Sequence, residues 1–255
     1  MSHPHHGEYI RRILLLREEV PSFDEYPFSL QAVRHLDELP LHPGVTFIIG
    51  ENGTGKSTLL EAIAMLLRLN PEGGSRNFRF ATRASHSSLC DYLRFTRGRH
   101  DPKDVYFLRA ESFFNLATEI DRLDREDGGR HIIRSYGGSS LHEQSHGESF
   151  YALFKNRFEG CGLYLLDEPE AALSPIRQTG FLCLIRDLVQ NYSQFIIATH
   201  SPIIMAYPDA WIYQLSSDGI TRIAYQDTEH YRVSKQFLED PERMLALLFN
   251  DQGPA

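Results

Sequence analysis

The chain has 255 residues, 42% of them hydrophobic and 24% charged, with a formal net charge of −8. That length buries a sizeable core, and no apolar run approaches the roughly 18 residues that cross a bilayer, so a membrane-embedded subunit is excluded. The negative balance excludes a protein that holds nucleic acid over its whole surface, because phosphate calls for concentrated positive charge.

The first residues carry His3, His5 and His6 among polar neighbours and lack the charged-then-apolar layout of a secretory signal, so a cytoplasmic location is expected. Residues 10–16 and 26–33 read as strands leading to Val45-Thr46-Phe47-Ile48-Ile49, an apolar run suited to a buried parallel strand. A glycine-rich turn follows at once. From Lys56 to Arg68 the residues Leu59, Leu60, Ile63 and Leu67 share one helical face, and Asn70-Pro71 with Gly73-Gly74 ends that helix.

Residues 75–104 are polar and read as a peripheral lobe or extra strands. Arg76, Arg79, Arg83, Arg94, Arg97, Arg99 and Lys103 fall in a stretch, from Arg76 to Lys103, where Asp91 and Asp101 are the only acids, which marks either a solvated face or a surface for nucleic acid or an acidic partner. Cys90, Cys161 and Cys183 are odd in number and widely spaced, which suits reduced thiols. Val105 to Leu108 is a strand candidate, and Phe113, Leu116, Ala117, Ile120 and Leu123 mark a helix after it.

A polar loop from Tyr136 to Gly147 leads into a helix carrying Phe150, Tyr151, Leu153, Phe154 and Phe158. Leu163 to Leu166 and Phe195 to Ala198 are unbroken apolar strands separated by a helix from Pro175, an alternation that builds a parallel sheet between helices. Trp211 to Leu215 and Ile220 to Ala224 flank Ser216-Ser217-Asp218-Gly219, a hairpin signal, and Asp240 caps a last helix with Pro241 in its first turn. The pattern predicts a single α/β domain over residues 1–255, with a mainly parallel sheet flanked by helices, a peripheral antiparallel β portion and a helical lobe. Its core covers about 10–70 and 160–225, an inserted lobe about 75–158, and a C-terminal helical segment about 233–250.

Three groups of residues carry chemistry. Gly50-Glu51-Asn52-Gly53-Thr54-Gly55-Lys56-Ser57 fits G-x-x-x-x-G-K-[ST] between a strand and a helix, with Thr58 next. Its amides and helix N-terminus suit a polyphosphate, Lys56 reaches the β- and γ-phosphates, and Ser57 offers a hydroxyl to Mg²⁺. Asp167, at the end of the Leu163 strand, supplies a second oxygen for that metal, and Glu168 beside it is placed to take a proton from water. His200 follows another strand end and points to the same crevice.

The order of phosphate loop, Ser145-His146-Gly147-Glu148, Asp167-Glu168-Pro169 and His200 resembles the ABC ATPase superfamily. The wording DEPEAALSP is closest to stand-alone AAA/ABC ATPases of the SMC and RecF kind. The resemblance implies ATP and Mg²⁺ as ligands and a homodimer formed on ATP binding. It further implies that Ser145, Gly147 and Glu148 touch the γ-phosphate held by the opposite copy. Gln144 and His146 replace the family's leucine and first glycine, and Ser174 stands where the family has an aspartate. Glu111 is the nearest counterpart of the family's glutamine at the metal. Tyr26 or Phe28 occupies the region of the adenine-stacking aromatic, although as residues both read as core. About ninety residues separate the phosphate loop from Ser145, too few for coiled-coil arms. ATP hydrolysis coupled to a partner protein, in a nucleic-acid-related or defence process, is the expected function. A transporter's nucleotide-binding subunit shares every motif. A phosphate-loop kinase or GTPase fits less well, because the adjacent acids suit water activation and no N-K-x-D is present.

Overall fold

The computed structural model describes residues 7–75, 87–111 and 146–250, with 113, 117, 118, 122 and 124 between them; for residues 146–150, 152 and 250 it describes the backbone alone. Among them are ten strands: β1 (Ile10–Leu15), β2 (Glu38–Pro40), β3 (Val45–Gly50), β4 (Gly74–Ser75), β5 (Leu93–Arg97), β6 (Asp104–Arg109), β7 (Gly162–Asp167), β8 (Gln194–Ala198), β9 (Trp211–Ser216) and β10 (Gly219–Ile223). The helices are α1 (Gln31–Arg34), α2 (Lys56–Leu66), α3 (His146–Arg157), α4 (Pro175–Gln190), α5 (Pro202–Met205), α6 (Glu229–Glu239) and α7 (Pro241–Asn250).

The larger sheet has the order β10-β9-β3-β8-β7-β6-β4, and its five inner strands β9, β3, β8, β7 and β6 run parallel. β10 and β4 close the two edges antiparallel. Both faces are covered because successive side chains point to opposite sides. Ile48, Leu163, Leu165 and Ile196 join Leu59, Leu60 and Ile63 of α2 in one core. Phe47, Ile49, Tyr164, Leu166 and Ile197 join Leu153 and Phe154 of α3 and Phe181 and Ile185 of α4 in the other. A smaller antiparallel sheet, β2-β1-β5, lies beside the first core.

Gln194 fastens the two sheets. Its buried Oε1 accepts from the Tyr9 and Ile10 backbone N–H groups at 3.0 Å each, and its Nε2 donates to Ile10 O at 2.8 Å and His42 O at 3.0 Å. At the start of β6, Arg157 makes a two-pronged ion pair with Asp104 at 2.8 and 2.9 Å, fixing the end of α3.

Two expectations change. Residues 26–33 form turns and α1 instead of a strand, with Ser29 N–H donating to Glu25 O at 2.9 Å and Leu30 N–H to Pro27 O at 3.3 Å. Pro27 has no N–H for a ladder, and Phe28, Ala32 and Val33 become buried at a helical spacing. Second, β6 sits inside the main sheet and α3 packs on α4, so these parts of the 75–158 stretch belong to the core and not to a separate lobe.

Candidate functional site

The parallel strands deliver their C-terminal ends to one rim. Arg109 of β6 is the register partner of Asp167 on β7, and Asp167 is the partner of Ala198 on β8. At the end of β3 the chain turns through Gly50 to Gly55 into α2. Gly55 has φ 97°, and a Cβ there would meet Ala32 Cβ and Leu30 Cβ at 3.1 Å, so the loop seats tightly on α1. The Ala32 N–H also donates to Thr54 O at 2.9 Å. A Cβ on Gly53, by contrast, would meet nothing within 4 Å, so that side of the loop is open to a ligand. Lys56 is buried, and its Nζ donates to Gly50 O at 2.8 Å and Glu51 O at 2.9 Å. Burial pushes the Lys56 pKa down, against the upward pull of Glu168, Asp167 and Glu170.

Ser57 Oγ donates to Asp167 Oδ1 at 3.1 Å, and Arg109 Nε lies 3.5 Å from Asp167 Oδ2. Burial raises the Asp167 pKa to about 6, opposed by Arg109 and the Ser57 hydrogen bond. Glu168 stands in the left-handed region at φ 52°, ψ 51°, and its N–H donates to Ala198 O at 2.9 Å. A non-glycine residue held there carries strain that the surrounding contacts must offset. His200 Nε2 lies 3.7 Å from Glu168 Oε1. Burial pushes His200 down and Lys56 adds to it, against Glu168. The carboxylate of Glu170 accepts from Thr199 Oγ1 at 2.8 Å and from the His200 backbone N–H, which pins the histidine loop.

A cleft of about 890 Å³ opens over this rim, lined among others by Gly50, Asn52, Thr54, Glu168, His200 and His230. An open glycine loop with a buried lysine at a helix start fits a polyphosphate, and a hydroxyl beside a carboxylate is the hard-oxygen donor pair that Mg²⁺ takes.

Two family models match this chain: "AAA domain" over residues 28–144, and "AAA domain, putative AbiEii toxin, Type IV TA system" over residues 112–206. Together the two models run over residues 28–206, along which the chain is similar to AAA-type P-loop ATPase domains. It is 28% identical over 183 residues to the cytochrome c biogenesis ATP-binding export protein CcmA of Legionella pneumophila, a match covering 68% of this chain and 86% of that protein. Solved structures similar to it include cbiO1 from Clostridium perfringens, part of the ABC transporter complex cbiONQ, at 18% identity and a TM-score of 0.49, covering 94% of this chain and 99% of that one. The SMC head domain from Thermotoga maritima gives 16% identity and a TM-score of 0.45, covering 85% and 99%.

The structure brings Gly50 to Thr58, Asp167, Glu168 and His200 together at this rim. Ser145 lies outside the described residues, as do Arg76, Arg79 and Arg83. Gly147 and Glu148 belong to the first turn of α3, which begins at His146 directly after Ser145. Glu111 is directed elsewhere: its carboxylate is 3.3 Å from Arg109 Nη2 and its side chain is 81% exposed. The guanidinium of Arg109, which also reaches Glu61 at 3.0 Å, bridges Glu111 and Asp167. Phe28 is core, packed edge-on against Tyr92, whereas Tyr26 is 66% exposed, against its reading as a core residue.

Arg109, Glu170 and His230 escaped sequence reasoning. Arg109 had a signal, a basic residue closing a strand next to the Asp167 strand. Glu170 lies within the DEPEAALSP run itself. For His230, thirty residues beyond His200, only the folded chain supplies the connection.

Proposed function

We propose that the protein hydrolyses ATP at a composite site formed when two copies meet, and that the cycle of association and release drives a partner. One convergence carries the reading: Ser57 and Asp167, 110 positions apart, lie 3.1 Å from one another, with Glu168 adjacent and His200 3.7 Å from its carboxylate. The phosphate loop and Lys56 bind the triphosphate, while Ser57 and Asp167 would hold Mg²⁺, which when bound neutralises charge on the β- and γ-phosphates. Arg109 orients Asp167. Glu168 accepts a proton from the attacking water, and His200 holds the γ-phosphate and the water in line. Ser145, Gly147 and Glu148 of the second copy close over the γ-phosphate. Support for that closure comes from the placement of α3, whose N-terminal turn at His146 suits an anion.

The test is Glu168→Gln. With ATP it is expected to elute as a dimer with nucleotide retained, and to turn over at least about 100-fold more slowly. A variant that stays monomeric with ATP and hydrolyses normally overturns the proposal. The similarity to an ATP-binding export protein supports a second reading, the nucleotide-binding subunit of a transporter. Under that reading, the ATP-loaded Glu168→Gln form extracts an integral membrane protein from solubilised membranes. The toxin named in the second family description supports a defence-related partner instead; a soluble partner would accompany it.

A further inference from the structure

The first turn of α6 brings a second imidazole to the hydrolytic rim. His230 Nε2 lies 3.3 Å from His200 Nδ1, with ring centroids 5.4 Å apart. Buried Thr228 caps the start of α6 by accepting from the Tyr231 N–H at 3.2 Å, and in the turn before it Tyr225 Oη donates to Pro202 O at 2.8 Å, two residues after His200. The outer nitrogens, His200 Nε2 and His230 Nδ1, are buried and make no hydrogen bond among the described residues. Between two neutral rings one nitrogen must donate and the other accept, so the shared contact sets which nitrogen of His200 carries its proton.

We propose that His230 is a positioning residue for hydrolysis: its Nε2–H donates to His200 Nδ1 and thereby fixes the His200 proton on Nε2, the nitrogen that faces Glu168. This rests on the reading of His200 as the group that holds the γ-phosphate. An Nε2–H aimed at the cleft donates to a carboxylate or phosphate oxygen, whereas the opposite tautomer presents a lone pair that repels both. Burial pushes both imidazoles below their ordinary pKa, helped at His200 by Lys56 and at His230 by His200, so both are neutral at pH 7. Glu229, on the same turn as His230, pulls the other way.

The experiment uses the full chain with ¹⁵N-labelled histidine, His200 being assigned through His200→Gln. Wild type is expected to show His200 with its proton on Nε2, and His230→Phe, which fills the same space without a donor, a mixture of the two tautomers. His230→Gln, which restores an N–H donor, is expected to return the Nε2–H form. In turnover, His230→Phe lowers kcat about tenfold with the KM for ATP within about twofold, and His230→Gln recovers most of the loss. An unchanged His200 tautomer in His230→Phe overturns the proposal, as does a loss carried by KM. If wild type hydrolyses no ATP, the functional reading above fails, while the tautomer measurement still decides whether His230 sets the His200 proton.

Discussion

Asp167 shows what burying a carboxyl group costs the folded protein. Its carboxyl titrates near 6 in the folded chain against 3.8 for an ordinary aspartate. Between those values the folded state holds a proton that the unfolded chain has released, so stability falls as pH rises from about 4 to about 6. The loss amounts to about 3 kcal/mol at pH 7 in the absence of Mg²⁺. Asp167→Asn removes the ionisation. Its unfolding free energy should match wild type near pH 4 and exceed it progressively up to pH 7, while ATP with Mg²⁺ no longer raises its melting temperature. Equal pH profiles for the two proteins would refute this account. The residue-scale site was largely legible, because the phosphate loop lies between β3 and α2, Lys56 and Ser57 open that helix, and Asp167 ends β7 with Glu168 next. Arg109 and His230 were hidden for a physical reason: their meaning depends on which strand or helix lies alongside, which spacing along the chain does not encode.

At the level of elements, unbroken apolar runs such as Leu163 to Leu166 could be read directly, since a strand buried on both faces has no polar side to disguise it. Residues 26–33 misled because their apolar content serves a turn and a four-residue helix beneath the phosphate loop, too short for a helical period to stand out in the sequence. Gln194 is the opposite kind of surprise, a polar residue within an apolar strand. Gln194→Leu keeps its volume but removes four hydrogen bonds, three to Tyr9 and Ile10 at the start of β1 and one to His42, leaving the Tyr9 and Ile10 N–H groups buried without partners. A cost of about 3 kcal/mol is expected, read as a lower urea midpoint at an unchanged slope, with the KM for ATP unaltered. On the small sheet, the exposed Arg94, Arg97 and Arg99 belong to β5 and the turn after it. If this edge meets nucleic acid, replacing all three by alanine lowers the salt dependence of binding by about 0.9 for each phosphate no longer neutralised. Binding to DNA that does not weaken counts against it.

Taken whole, the molecule has two unlike rims. Four parallel strands end at Gly50, Arg109, Asp167 and Ala198, and the phosphate loop, Glu168 and His200 gather beyond those ends. The opposite rim, where β8 starts, is built from tethers: Cys161 N–H donates to Asn191 O at 2.7 Å and Tyr9 Oη to Tyr192 O at 2.7 Å. Five residues of β8 separate the two rims, about 16 Å of extended chain. Tyr192 is half exposed on the tethering side. A fluorescent label carried there would travel with the sheet yet stand clear of the triphosphate, and so would serve as a spectator from which the approach of a second molecule could be timed without disturbing the chemistry it reports.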